Sequence, residues 1–181
     1  MTGCIYQGFW PSAARSRPYA GIFLAWMLAA CVALAAPAGH SLLHKPAPNF
    51  IRNDLSGKPV NLRAYRGKVV LLNFWATWCA PCQLELPRFA AWQKQYASDG
   101  LQIVAVSMDD DAAPARALAR KLKLDFPVVM GDAKLGTLYG GVLGLPVTFL
   151  IGRDGRVSAR LTGETDLPAM ENRIRELLGH R

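Results

Sequence analysis

Beyond residue 50, the hydrophobic positions of the chain follow two alternating patterns. Residues 68–75 and 101–106 form nearly uninterrupted apolar runs that include several β-branched side chains. Runs of this length and composition predict strands that are buried on both faces of a sheet. In 81–97, 113–124 and 167–178, apolar residues instead recur at helical spacing, which predicts three helices, the first of them kinked at Pro87.

Shorter apolar segments complete the predicted sheet. A turn at 53–57 divides residues 50–62 into two short strands, which predicts a β-hairpin at the start of the folded part. A tight turn at 153–156 joins two late strands, so we expect an antiparallel edge there. Alternating strands and helices favour an α/β fold, in which a mixed central sheet has helices on both faces. The remaining strands are predicted at 126–130, 147–151 and 157–161.

The first forty residues have a different pattern, in which two arginines precede an apolar run at 20–36. A basic stretch followed by such a run is the signature of export. The run could stay as a membrane anchor, be removed as a signal peptide, or end in a lipobox at Leu28-Ala29-Ala30-Cys31. These outcomes stay open. We expect a periplasmic or otherwise extracytoplasmic protein, attached to the inner membrane by residues 20–36 or by lipid on Cys31.

Composition and charge limit the size and the partners of the exported part. Residues 41–49 contain two prolines and are interpreted as a linker, which leaves 50–181 as one domain. The chain has 21 basic and 13 acidic residues, and only two of the basic ones precede residue 41. This excess suits an anionic lipid surface or an acidic partner, although a mixed solvated surface explains it more simply. No basic cluster is interleaved with aromatic residues, so nucleic-acid binding is not predicted.

The cysteines point to redox chemistry. Of four cysteines, Cys4 and Cys31 precede the domain, and the domain keeps Cys79 and Cys82. This pair lies where a predicted strand ends and a predicted helix begins. A helix N-terminus carries a partial positive charge that stabilises a thiolate at the first position. The second thiol, one turn further on, can then resolve a mixed disulfide.

Other roles of a CxxC pair fit the sequence less well. A structural zinc site needs four ligands, and residues 41–181 add no second cysteine pair and only two histidines, His44 and His180, near their ends. Attachment of c-type haem requires a histidine directly after the second cysteine, where this chain has Gln83. A buried structural pair stays open. We therefore expect no metal, and no cofactor besides the redox-active disulfide of Cys79 and Cys82.

Several segments resemble one family. Residues 73–82 resemble the active-site stretch of thioredoxin-family proteins, and with 85–87, 144–151 and 153–156 they are most similar to the TlpA/ResA-like branch. The resemblance covers roughly 47–178. It implies a thioredoxin fold and an extracytoplasmic thiol–disulfide oxidoreductase that reduces protein disulfides, often those of apocytochrome c during cytochrome c maturation. It further implies a monomer that is recharged by a membrane electron donor of the DsbD/CcdA kind.

The same resemblance assigns roles to individual residues. Pro146 matches the cis-proline of the family, and Leu145 before it would present its backbone to a substrate. Glu85 matches an acidic residue near the disulfide, whose raised pKa would let it move the proton of the resolving thiol. Substrate contacts are also expected from Trp78, Ala80 and Pro81.

Two polar features allow more than one interpretation. Asn73 stands where thioredoxin has a buried aspartate, so it is either a hydrogen-bonded structural amide or a sign that Glu85 handles the proton. The acidic residues Asp109, Asp110 and Asp111 suggest a metal site. Capping of the helix that begins near Ala112 explains them better.

Other functions on the same fold remain as alternatives. A thiol peroxidase would not need a CxxC motif. A Cu(I) carrier or copper-site assembly protein can use paired thiolates, but its relatives add a distant histidine. A disulfide oxidant has the same residues and differs only in reduction potential. Ala80 and Pro81 lack the histidine of strongly oxidising sites, which favours a reductase.

Overall fold

The computed structural model describes residues 41–180 of the chain. The predicted export segment, with its apolar run 20–36 and Cys31, lies outside these residues. Between residues 41 and 180, no helix is long and apolar enough to cross a membrane. In chain order the elements are β1 (Ile51–Asn53), β2 (Pro59–Asn61), a 3₁₀ turn (Leu62–Tyr65), β3 (Val69–Trp75), α1 (Ala80–Tyr96), β4 (Leu101–Ser107), α2 (Ala112–Lys121), β5 (Val128–Met130), α3 (Ala133–Leu138), β6 (Val147–Ile151), β7 (Val157–Thr162) and α4 (Leu167–Leu178).

The central strand of the fold is β3, whose seven residues are all buried. It pairs in parallel with β4 and antiparallel with β6, so that Phe74 lies opposite both Val106 and Val147. The five strands follow the order β5-β4-β3-β6-β7, with β6 and β7 antiparallel. A strand that is covered on both faces has no solvated side, which explains its apolar run. The predicted mixed sheet is confirmed.

Each face of the sheet carries its own hydrophobic layer. Leu71 and Trp75 belong to the layer that contains α1 and α4, whereas Leu72 and Phe74 belong to the layer that contains α3 and the hairpin. This division follows from the strand, because successive side chains point to opposite faces. Burying one such side chain contributes about 2 kcal/mol. Helices therefore cover both faces, as predicted, and hold β3 between them.

The N-terminal strands lie beside the main sheet. β1 and β2 pair antiparallel, with Ile51 opposite Asn61. The turn between them contacts the edge strand β5, because the amide of Leu55 donates to the carbonyl of Val128 at 2.8 Å. An uncovered strand edge presents unpaired backbone groups that invite aggregation. The hairpin turn therefore shields part of the β5 edge.

Residues 41–49, predicted as a linker, are bonded to the domain. The amide of His44 donates to the carbonyl of Val157 at 2.8 Å. The hydroxyl of Tyr139 donates to the carbonyl of Pro48 at 2.6 Å. Prolines lack the N–H group and favour extended backbone, which made this segment look like a linker. An extended chain can still bond through its other amides and its carbonyls.

Two helices differ from their sequence-based prediction. α2 ends at Lys121 and not at residue 124, and Lys123 adopts a left-handed φ of 52° that no helix allows. α3 was not predicted at all. Its six residues bury only Leu135 and Gly136, so no apolar periodicity is present to indicate a helix. The side chain of Asp132 caps it by accepting from the amide of Leu135 at 2.7 Å.

Candidate active site

The redox pair lies at the N-terminus of α1, directly after the loop that follows β3. Cys79 and Cys82 form a disulfide with their Cα atoms 5.3 Å apart. Cys79 is the N-cap residue of α1, and its sulfur accepts from the amide of Cys82 at 3.3 Å. Pro81 occupies the first turn, where its missing N–H has no partner to lose. The amides and the dipole of this turn favour negative charge on Cys79.

Both cysteines are buried, but Cys79 is slightly more exposed than Cys82. Cys79 keeps 5% of its surface exposed and Cys82 only 1%. Next to Cys79, Ala80 is exposed and Trp78 leaves 71% of its surface in solvent. Trp75, in contrast, is fully buried and belongs to the same hydrophobic cluster as Cys79 and Cys82. Cys79 is thus the more accessible of the two cysteines.

Pro146 lies at the start of β6, beside the carboxyl end of β3. The Leu145–Pro146 peptide bond is cis, which confirms the predicted geometry. The next residue, Val147, pairs with Phe74 at the end of β3. This pairing places the cis bond at the same edge of the sheet as the disulfide. The predicted contact of Leu145 with a substrate stays a prediction.

Glu85 lies one helical turn after Cys82 and is buried, with 3% exposure. The amide of Thr165 donates to its Oε1 at 3.3 Å. Its Oε2 has no hydrogen-bond partner among residues 41–180. Burial raises the pKa of Glu85 above its usual range, and the charge of Glu164 adds to this effect while the Thr165 hydrogen bonds oppose it. A raised pKa is the direction expected for a carboxyl group that carries a proton.

Asn73 is buried beneath this end of the sheet. Its amide nitrogen donates to the hydroxyl of Thr148 at 2.9 Å, across the pairing of β3 with β6. Its carbonyl oxygen has no hydrogen-bond partner within residues 41–180. An amide does not titrate near neutral pH. Asn73 thus ties β3 to β6.

The loop before Cys79 is held by Asp109, which sequence analysis had interpreted as part of a helix cap. The carboxylate of Asp109 accepts from the amide of Thr77 at 3.0 Å and from its hydroxyl at 2.6 Å. It also accepts from the hydroxyl of Ser107 at 2.8 Å. Three donors from two segments converge on this one buried carboxylate. Asp109 therefore joins the active-site loop to the end of β4.

The predicted capping role is wrong for the side chains of this acidic run. Asp111 occupies the N-cap position of α2 but makes no side-chain cap hydrogen bond. Asp110 is exposed, and no cluster of metal-ligating residues occurs between residues 41 and 180. The closeness of Asp109 to the active-site loop could have been predicted from the sequence. Parallel strands end at the same edge of a sheet, so a residue two positions after β4 lies close to the loop after β3.

The comparisons with known proteins agree with this geometry. The AhpC/TSA family matches residues 43–160. A thiol–disulfide oxidoreductase ResA from Bacillus thuringiensis is 35% identical over 133 residues, which cover 74% of this chain and 77% of the relative. ResA from Bacillus subtilis is 40% identical over 118 residues, 65% of each chain. A Chlorobium tepidum crystal structure assigned as thiol:disulfide interchange protein DsbE superposes with a TM-score of 0.71 at 34% identity, covering 76% of this chain and 98% of its own.

Removing the carboxylate that holds the loop should destabilise the domain. We expect Asp109→Ala to lower the free energy of unfolding by about 2–4 kcal/mol, because the part-buried donors of Thr77 and the buried hydroxyl of Ser107 lose their charged acceptor. Exchange of the Thr77 amide should also become faster. Denaturant unfolding and amide hydrogen exchange measure the two effects. The control Asp110→Ala removes an exposed carboxylate next to it and should change stability by less than about 0.5 kcal/mol. Equal losses in both variants would contradict the assignment.

The burial of Glu85 should make stability depend on pH. Because the pKa of Glu85 is raised in the folded state, its contribution to stability is fully present below about pH 4 and is lost as pH rises through the folded pKa. A neutral glutamine avoids this loss, so Glu85→Gln should gain stability relative to the parent as pH rises from acid to neutral. Urea unfolding of the oxidised domain across this range measures the difference. The exposed Glu176→Gln is the control, and an identical pH dependence in all three proteins would rule out the effect.

Proposed function

The chain belongs to the AhpC/TSA family, has a thioredoxin fold and is a homologue of the ResA thiol–disulfide oxidoreductases, and we propose that it reduces disulfides in exported proteins. The observation that carries the proposal is the placement of Cys79 at the N-terminus of α1, more exposed than Cys82 and next to the exposed Trp78. This arrangement suits attack on a disulfide by the outer thiolate and resolution by the inner one.

The reaction begins with the reduced dithiol. The Cys79 thiolate attacks one sulfur of the substrate disulfide, forms a mixed disulfide and releases the other substrate sulfur as a thiolate. The Cys82 thiolate then attacks the Cys79 sulfur, which frees the second substrate thiol and leaves the Cys79–Cys82 disulfide. Two electrons pass to the substrate. A membrane electron donor of the DsbD/CcdA kind then supplies two electrons, which reduce the Cys79–Cys82 disulfide to the dithiol again. Glu85 accepts the proton of the Cys82 thiol when that thiol becomes the nucleophile.

The surface around Cys79 supports a protein as the substrate. Trp78 and Leu84 expose 71% and 73% of their surface, and Leu143, just before the cis-proline loop, exposes 99%. All three belong to segments at the carboxyl end of β3. Apolar side chains exposed around one reactive group mark an interaction surface. Trp78, Ala80, Pro81 and Leu145 are the proposed substrate contacts.

Apocytochrome c is the substrate we propose, with the protein acting as a monomer outside the cytoplasm. The ResA and DsbE relatives support the reaction class. The basic and apolar pattern of residues 1–40 supports export and attachment to a membrane. An unfolded apocytochrome presents its cysteines in an extended segment. Such a segment suits the backbone beside the cis-proline, and its cysteines must be reduced before haem can attach.

The direction of electron flow is tested by the reduction potential of residues 41–181 against glutathione. We expect a value at or below about −220 mV, nearer to thioredoxin than to strong oxidants. Cys82→Ser should accumulate a mixed disulfide through Cys79 with a disulfide-bonded cytochrome peptide, whereas Cys79→Ser should not. A potential near −120 mV would contradict the reductase assignment and make the protein an oxidant.

The role of Glu85 is tested by the rate of exchange. Glu85→Gln should slow reduction of the peptide disulfide by up to about 100-fold at neutral pH, because the proton of the resolving thiol loses its acceptor. The rate should also lose the pH dependence that comes from the carboxylate. Stopped-flow tryptophan fluorescence from pH 5 to 9 follows the reaction. Glu176→Gln, on the exposed face of α4, should leave the profile unchanged. An unchanged profile in Glu85→Gln would exclude the role.

A further inference from the structure

The two ends of β3 carry different chemistry. The disulfide follows the carboxyl end of β3. Because β3 has seven residues, its amino end lies roughly 20 Å from its carboxyl end. The turn between β6 and β7 lies at this amino end, because Ile151 pairs with both Val70 and Val157. The N-terminal segment arrives there too, since His44 donates to Val157. The domain is therefore joined to the rest of the chain at the end opposite its disulfide.

Exposed basic residues gather at this end, which we call the basic end. Arg63, Arg66 and Lys68 line one shallow cavity there, together with Pro46 and Gly155. The nearby acids are fewer and comprise the exposed Asp154 and Glu176 and the half-buried Asp99. The basic end consists of Lys45, Arg63, Arg66, Lys68, Arg153 and Arg156, all of them exposed.

The arginines of the basic end are held mostly by backbone carbonyls. Arg66 donates to the carbonyl of Asp154 at 2.9 Å. Arg153 donates to the carbonyls of Gly67 and Asp99 at 2.9 and 2.7 Å. A carbonyl fixes a guanidinium in place without neutralising its charge. The carboxylate contact at this end is weak, with 3.9 Å between Arg156 and Asp154. The charge of the basic end is thus preorganised and remains available to a partner.

The end of the sheet that carries the disulfide has exposed acidic residues. Asp110, Asp111 and Glu164 are exposed there and form no ion pair among residues 41–180. They follow β4 and β7, which both end beside Trp75 or its neighbours. The exposed cations in this region include Lys134 at the start of α3 and Arg160, which donates to the carbonyl of Gly141 at 3.0 Å. Charge is therefore separated along the direction of β3.

We propose that the basic end is a docking surface for an anionic lipid bilayer. The proposal rests on the proposed export and membrane attachment, but not on the redox reaction. Four residues, 37–40, lie between the end of the apolar run at 36 and residue 41, and the five Cα–Cα steps span at most roughly 18 Å. A bilayer that holds residues 20–36 thus lies within reach of the basic end. Lysine and arginine near an anionic surface bind it through charge. The carboxylates at the other end favour an orientation in which the disulfide faces away from the lipid.

The domain can be tested without its N-terminal segment. The superposition covers 98% of the Chlorobium tepidum chain. That protein therefore forms this fold with almost no residues outside the matched region. We expect residues 41–181 to sediment with vesicles of phosphatidylcholine containing phosphatidylglycerol, and not with vesicles of phosphatidylcholine alone. Binding should weaken as salt is raised, because the Debye length is only about 8 Å at physiological ionic strength.

A triple variant locates the surface. Lys45→Gln with Arg63→Gln and Lys68→Gln removes three charges whose side chains make no hydrogen bond among residues 41–180. Each charge near the surface is worth about fivefold in the binding constant, so the variant should bind on the order of 100-fold more weakly. Arg88→Gln with Lys134→Gln and Arg160→Gln is the matched control. It has the same net charge, its three exposed cations lie outside the basic end, and it should bind nearly as the parent does.

Three outcomes would overturn the proposal. One is an equal loss of binding in both triple variants, which would reduce the effect to net charge. Another is equal binding to neutral and anionic vesicles. The third is binding to a soluble acidic peptide, such as polyglutamate, without binding to the anionic vesicles, which would indicate an acidic protein partner. The reduction potential should be unchanged in both variants, so a failure here is distinguishable from a failure of the proposed reductase function.

Discussion

The burial of β3 on both faces is the constraint from which the active site follows. With a hydrophobic layer on each side, the strand has one fixed direction and register in the sheet. Its carboxyl end places Cys79 at the start of α1, and its neighbours bring Asp109 and Pro146 to the same edge. A shift of β3 by one residue would exchange the side chains on its two faces and would no longer bring Cys79, Asp109 and Pro146 together at this edge.

The site combines buried polar groups with a reactive sulfur pair. Asn73, Glu85 and Asp109 are each almost completely buried, but they differ in how they are paired. Asp109 accepts three hydrogen bonds and acts as a fixed anchor for the loop. Glu85 keeps one oxygen without a partner among residues 41–180, so the charged form of this residue is poorly stabilised. A carboxylate in this state is suited to gaining and losing a proton.

The same strand that positions the chemistry also separates it from the basic end. Exposed carboxylates and apolar side chains lie at the end of the sheet that carries the disulfide, whereas exposed arginines and lysines lie at the end where residues 41–49 join the domain. A protein substrate and a lipid surface would thus meet opposite ends of the sheet. In the proposed arrangement, Cys79 would face away from the membrane to which the domain is attached.

The sequence by itself determined the local chemistry of this protein. The spacing of Cys79 and Cys82 after an apolar strand, and the resemblance at Pro146, follow from neighbouring residues, so they were readable without a structure. The tertiary structure decided what depends on distant segments. Leu84 continues the apolar pattern of α1 but is exposed beside the disulfide, and Asp109 binds a loop 32 residues away in sequence. Periodicity reports that a side chain is apolar or polar, and only the packing of other elements decides what covers it or bonds to it.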